Sequence, residues 1–421
     1  MFVLIYDLLL LFVGLLASSF LLWDYLFRKK YRNSLAARLG FGDIPQFSGE
    51  KVIWLHACSM GEMKVAKALA TQIRKEHPEK KIVVSSITET GQAEAKKIIK
   101  EADGFFYLPL DFSCIISRIV KKVHPELLII AESEFWYNLV RAVKEDGGRV
   151  ALVNGKISEK SAKRFAKVSF FTKRLFSYFD VLCLQSEDYL PRFLTLPIDP
   201  KKIQVTGNLK FDAKIPHLQE SEKLQLQKDL GIQKEDVVIT IGSSHEGEED
   251  LILSELAKVQ KQIPQLKILL VPRHPHRFSK VAEFLAQMNL SFGTFSQKNA
   301  EGKRIVLVDA MGVLCKCYEL SHIAIVAGSY TESVGGHNIL EPLEFGVPVI
   351  FGPHMHSQPE LTTMVLSKMA GFQSRYSELS DHVLQLLQDK KLYDNMSKSG
   401  LVIMQEVKGA AQKTWNIVSF S

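Results

Sequence analysis

The 421-residue chain holds only five cysteines, Cys58, Cys114, Cys183, Cys315 and Cys317, and no C-x-x-C pair. That odd, unpaired set excludes a disulfide framework and places the body in a reducing compartment. No H-E-x-x-H motif, cysteine pair or Asp-x-Asp joins the close histidine pairs His274/His276 and His354/His356, so no required metal is expected. No Gly-x-Gly-x-x-Gly follows the first predicted strand, which argues against a dehydrogenase. The net charge is only +7, and much of it lies beside the N-terminus, so nucleic acid is not an expected partner. Repeats and low-complexity tracts are absent as well, and 421 residues are too many for one comfortable core. Two domains are expected.

One long apolar run is present. From Met1 to Phe27 the chain is interrupted chiefly by Asp7 and Asp24, and as a helix it would be about 40 Å long, enough for a ~30 Å hydrocarbon core. Arg28, Lys29, Lys30 and Arg32 follow directly. Residues 1–27 therefore read as an N-terminal membrane-anchoring helix, spanning or interfacial, with the body on the cytoplasmic side and anionic lipid headgroups as partners.

After Lys51, apolar β-rich runs alternate with helical patterns. Strands are expected at 52–55, 82–86, 127–131, 150–153 and 181–184, then again at 237–241, 267–271, 305–308, 323–327 and 347–351. The alternation implies α/β architecture with two doubly wound Rossmann-like domains, 28–212 and 213–421, facing a cleft at the carboxyl ends of their strands. The stretch Lys160 to Phe179 interleaves aromatics with basic residues, as either a membrane-surface helix or a core-packing one.

The loops after these strands carry the chemistry. His56-Ala-Cys-Ser-Met-Gly-Glu62 turns from strand into helix, and Glu62 there either caps its helix or takes a proton from an attacking hydroxyl. Glu132 and Glu134 stand two apart after the third strand, where one could orient an acceptor while the other caps a helix. Asn154-Gly155-Lys156 follows the fourth. In the second half, Gly242 to Glu249, Pro272-Arg273-His274-Pro275-His276-Arg277 and Asp309 to Leu314 would surround a glycine-rich segment, Gly328 to Gly346. Here Gly335 and Gly336 permit close approach of backbone to an anion. A helix expected to start near His337 would offer free N–H groups, with Asn338 and Glu341 on one face for a phosphate and a ribose.

Together, His56–Glu62, Gly207-Asn-Leu-Lys-Phe-Asp212, Gly242–Glu248, Pro272–Arg277 and Gly335–Glu341 resemble the 3-deoxy-D-manno-octulosonic acid (Kdo) transferases of lipid A and lipopolysaccharide biosynthesis, from the N-terminal anchor to about residue 360. The resemblance implies a GT-B glycosyltransferase at the cytoplasmic face of the inner membrane, inverting and metal-independent. Its donor substrate would be CMP-Kdo, its acceptor a lipid A precursor (lipid IVA), and it would need no cofactor. It also implies Glu62 as general base, with Lys210, His245 and Arg273 toward the donor phosphate and Kdo carboxylate. Met311, Gly312, Asn338 and Glu341 would hold the nucleotide, and Glu132, Glu134 and Lys156 would support the acceptor or transition state. The family more often has Glu-Thr-Glu where serine stands between Glu132 and Glu134, and Asn-Ala-Arg where this chain has Asn154-Gly155-Lys156; lysine keeps the charge but loses the bidentate fork. The alternatives are a GT-B transferase using another nucleotide sugar, a sugar-nucleotide epimerase, or a catalytically silent, membrane-anchored sugar-nucleotide binding protein. Number and linkage of Kdo residues and oligomeric state are not encoded in these motifs.

Overall fold

The computed structural model describes residues 1–28, 34–47, 49–212 and 215–420. Lys29, Lys30 and Arg32 of the basic cluster lie outside them. Two compact units emerge, one of Met1–Ala213 with Val407–Ser421 and the other of Lys214–Glu406.

The first unit is built on a seven-stranded, wholly parallel sheet. Its strands are β1 (Val52–His56), β2 (Lys81–Ser86), β3 (Gly104–Tyr107), β4 (Pro125–Ala131), β5 (Arg149–Gly155), β6 (Val181–Leu184) and β7 (Ile203–Val205). They lie in the order β3-β2-β1-β4-β5-β6-β7. Every residue of β1 is buried. Val52 and Trp54 enter the core on one face while Ile53 and Leu55 enter the core on the other, the alternation a pleated strand covered on both sides requires.

The second unit repeats the plan with β8 (Val237–Ser244), β9 (Leu266–Pro272), β10 (Phe292–Thr294), β11 (Ile305–Leu307), β12 (Ile323–Val326), β13 (Val349–Phe351) and β14 (Gly371–Gln373). The order is β10-β11-β9-β8-β12-β13-β14, again all parallel. The ten expected strands all form. The four that sequence patterning missed, β3, β7, β10 and β14, are the two edges of each sheet. Edge strands are short and covered on fewer sides, so they lack the continuous apolar runs that mark central parallel strands.

Two expectations about chain ends change. The helix Phe2–Leu26 forms, but its first turns are docked on the first unit: Phe2, Val3 and Tyr6 pack against its core. Tyr6 Oη donates to Asp111 Oδ2 at 3.0 Å, and Asp7 accepts from the Ser113 amide at 3.2 Å and Asn138 Nδ2 at 2.8 Å. Asp7 interrupts the apolar run because it is a docking group. Among the described residues no helix is long and apolar enough to cross a membrane. At the other end, residues 407–421 do not belong with 214–406. The helix Ala410–Phe420 seats Ala411, Trp415 and Val418 in the core behind β1, and Thr414 Oγ1 donates to Thr206 Oγ1 at 2.8 Å. The stretch 160–179 divides likewise: Leu175, Phe176 and Phe179 are buried core, whereas Phe170 is 74% exposed.

Candidate functional site

The strand order switches sides between β1 and β4 in the first unit, and between β8 and β12 in the second. Ligands of open α/β sheets bind outside the carboxyl ends of strands at such switch points. Many of the sequence-selected residues fall at these two places.

In the first unit, β1 runs into the helix Met60–Glu76, which is capped by Ser59. Glu62, on its first turn, accepts the Cys58 N–H at 2.7 Å and the Ser59 hydroxyl at 2.8 Å, while Ser59 Oγ accepts the Glu62 N–H at 3.3 Å. This is a reciprocal cap that fixes the carboxylate at the strand end. Glu134, across from it after β4, has its carboxyl raised above the ordinary range by burial and next by the charge of Glu62. Its Oε2 accepts from Trp136 Nε1 at 3.1 Å.

Glu132 has a different role from its neighbour. It is buried and held at φ 62°, a left-handed conformation that non-glycine residues adopt at a cost. Lys156 Nζ meets its Oε2 at 2.6 Å, Lys210 Nζ pairs with Oε1, and Asn154 Nδ2 donates to Oε1 at 3.4 Å. Burial works against the charged form, but the two lysines outweigh it and hold this carboxyl below its usual value. Lys210, expected at the donor phosphate, is thus placed in the first unit on Glu132, beside Lys156.

Behind them, His56 is fully buried, its Nδ1 2.8 Å from Ser85 Oγ and its Nε2 3.5 Å from Cys58 Sγ. Burial depresses this imidazole to about 3. The Cys58 thiol is pushed well up, first by burial and then by Glu134 and Glu62. In front opens a cavity of about 710 Å³ lined by Glu134, Trp136, Lys156, Phe165, Tyr189 and Arg192, among others.

In the second unit, β8 ends at Ser244 and delivers His245. Glu248, completely buried, accepts three backbone amides: His245 at 2.9 Å, Gly328 at 2.7 Å and Tyr330 at 3.0 Å. It fastens the loop after β12 to the loop after β8. Sequence reading marked the loop Gly242 to Glu249 without singling out Glu248; the signal that separates it from Glu246 is its position three residues after His245. His245 Nε2 and His337 Nε2 stand 2.8 Å apart, so one ring donates and the other accepts. Burial, then each other's charge and Arg273, depress His337 to about 4. Arg277 is committed to a buried pair with Glu249 at 2.7 Å, whereas Arg273 is exposed and has no ion-pair or hydrogen-bond partner for its guanidinium among the described residues.

The glycine-rich segment departs from expectation. No α-helix opens at His337; only a 3-10 turn, Pro342–Phe345, forms before Gly346 closes it at φ 66°. Pro342 has no N–H to donate, so a helix begun at His337 would lack a hydrogen bond there; the proline sits instead at the first position of the short turn, directly after Glu341, whose backbone is helical (φ −56°, ψ −47°). Gly335 (φ 77°) and Gly336 (φ 91°) do need to be glycine. A Cβ at either would meet His356 or Met355, though, and their amides donate to the carbonyls of Thr331 and Gly328 at 3.3 and 2.9 Å. The close approach they allow is to their own protein. The next three amides, His337, Asn338 and Ile339, have no hydrogen-bond partner among the described residues. Asn338 Nδ2 still lies 3.4 Å from Glu341 Oε1. Met311 is 58% exposed beside Gly312, which takes φ 80°.

The family profile described as "3-Deoxy-D-manno-octulosonic-acid transferase (kdotransferase)" matches residues 33–213. A 3-deoxy-D-manno-octulosonic acid transferase of Chlamydophila psittaci is 34% identical over 98% of this chain and 94% of its own length. The chain belongs to the Kdo transferase family. It is accordingly a glycosyltransferase. A UDP-GlcNAc 2-epimerase from Neisseria meningitidis, at 14% identity and TM-score 0.60, covers 88% of this chain and 100% of that one. A glycosyltransferase from Rickettsia africae, at 15% and 0.57, covers 88% and 98%. Those two likenesses establish the GT-B type of two-sheet fold, which an epimerase and a transferase share; fold alone does not choose between their chemistries.

Proposed function

We propose that this Kdo transferase moves Kdo from CMP-Kdo to a lipid A precursor (lipid IVA), with inversion at the anomeric carbon and without a metal, and that Glu62 is the general base. The observation that carries the proposal is the setting of Glu62. It is a carboxylate pinned at the switch point of the first sheet, beside Glu134, which lines a cavity with the aromatic and basic groups suited to a phosphorylated sugar lipid. There it removes the acceptor hydroxyl's proton as that oxygen attacks the anomeric carbon. The CMP phosphate departs as an anion, and Arg273 with the partnerless amides of residues 337–339 supplies the positive potential its departure needs. Asn338 meets the phosphate, Glu341 holds the ribose, and the Met311–Gly312 turn receives the base. Lys156 and Lys210, fixed by Glu132, keep positive charge at the acceptor side.

For location, the proposal is the cytoplasmic face of the inner membrane. Leu8, Leu9, Phe12, Leu15 and Leu16 of the first helix are each more than half exposed, a face that lipid would cover.

The test incubates detergent-solubilised protein with CMP-Kdo, a tetraacylated lipid A precursor and EDTA, with products read by mass spectrometry. Discrete Kdo additions are expected, and their number gives the multiplicity. In Glu62→Gln, transfer is expected to fall by about 10²–10⁴. Near-normal transfer in that variant would remove Glu62 from the role of base, and absence of transfer in the unmodified protein would overturn the donor and acceptor assignment.

A further inference from the structure

Among the described residues, one histidine, cysteine and carboxylate group is arranged as metal ligands: His56, Cys58 and Glu134, whose donor atoms all lie within 4.8 Å of one another. Their elements explain the convergence. His56 ends β1, Cys58 follows it two residues on, and Glu134 comes from the loop after β4, the neighbouring strand across the switch point.

The geometry fits a small tetrahedral cation. With metal–sulfur and metal–nitrogen bonds of about 2.3 and 2.0 Å, tetrahedral coordination separates the two ligand atoms by about 3.5 Å. Cys58 Sγ and His56 Nε2 already stand 3.5 Å apart. Ser85 Oγ, 2.8 Å from His56 Nδ1, orients the ring so that Nε2 faces the thiol, and Ser85 is itself fixed by the Trp54 indole N–H at 2.7 Å. Such an outer partner on the second ring nitrogen is what metal-binding histidines require. Glu134 also lines the 710 Å³ cavity, so this ligand borders open space. A thiol, an imidazole and one carboxylate form a donor set that selects zinc-class ions over magnesium or calcium.

We propose that His56, Cys58 and Glu134 form a three-ligand site for a zinc-class divalent cation, and that its occupancy inhibits transfer. Binding displaces the thiol proton to solvent and draws Glu134 onto the cation, which then stands against Glu62 and opposes the proton uptake Glu62 performs. The inhibitory half rests on the function proposed above; the binding half does not.

The test titrates metal-free full-length protein with Co²⁺ and follows absorption. One equivalent is expected to produce four-coordinate ligand-field bands and a thiolate-to-cobalt charge-transfer band, both removed by Zn²⁺. Cys58→Ala loses the charge-transfer band, whereas the Cys114→Ala/Cys315→Ala double variant keeps it. Ser85→Ala keeps the band but weakens cobalt binding by about 10–100-fold. No band in the unmodified protein under excess Co²⁺, or a band that survives Cys58→Ala, overturns the site. Zn²⁺ should also reduce Kdo transfer, EDTA should restore it, and Cys58→Ala should resist Zn²⁺ relative to its own zinc-free rate. A cobalt band with transfer indifferent to Zn²⁺ overturns the inhibitory half, while a cobalt band with no transfer under any condition indicts the proposed function and leaves the site standing.

Discussion

Glu62 serves its helix and, in the proposed reaction, its substrate, and the two roles separate by substitution. Alanine removes the acceptor for the Cys58 amide and the Ser59 hydroxyl, so Glu62→Ala should lose about 1 kcal/mol of stability as well as transfer. Glutamine keeps an acceptor oxygen, so Glu62→Gln should denature in urea close to the unmodified midpoint, and a midpoint as low as that of the alanine variant would contradict this account. His56 gives a pH dependence with a definite sign. Its folded value, near 3, lies below the ordinary 6.5, so between those limits the unfolded chain binds a proton that the folded chain refuses. Stability from this group is complete above pH 6.5 and is lost as pH falls toward 3, at about 1.4 kcal/mol per pH unit. Urea midpoints at pH 7 and pH 5 should therefore diverge by about 2 kcal/mol more in the unmodified protein than in His56→Asn; equal losses would assign the acid sensitivity elsewhere.

Among the elements, the C-terminal helix shows how far sequence position departs from structural membership. Trp415, 1% exposed, packs behind β1 with Ile53, Leu55 and Leu69, and Asp212 receives the Gly409 amide at 2.6 Å at the head of this helix. Trp415→Ala should cost the first unit about 3–5 kcal/mol, read as loss of hydrogen-exchange protection in β1 and β4. Unchanged protection there would mean that the helix is not part of that core. The segment after β12 makes the complementary point. Asn338 and Glu341 are three residues apart, which a helix would bring onto one face; the chain instead pairs them through an irregular turn, with Glu248 gripping its start. The expected juxtaposition survived although the expected element did not.

For the molecule as a whole, the proposed nucleotide contacts at Arg273, Met311, Gly312, Asn338 and Glu341 all belong to the second unit, and Glu62 to the first. Calorimetry with CMP should thus find Glu62→Gln unchanged, while Asn338→Ala, losing a charge-assisted contact to phosphate, should bind roughly 10–100-fold more weakly. Equal weakening in both variants would contradict this division of labour. Much of the molecule was legible in advance because central parallel strands must be apolar on both faces, so all ten central runs announced themselves, as did the polar loops at their ends. The edges β3, β7, β10 and β14, covered on fewer sides, carried no such mark.

What the sequence by itself determined is therefore the α/β class, the central strands, the family and the loops that carry chemistry, since each depends on local composition and short spacing. Tertiary structure alone decided that Asp7 docks the first helix, that the last fifteen residues, Val407–Ser421, join the first unit, and that Lys210 shares Glu132 with Lys156. It also decided that Cys58 meets His56 and Glu134. These are pairings between residues distant in the chain or brought together by strand order. A linear pattern records what each residue prefers, whereas the partner is chosen by which strand lies beside which.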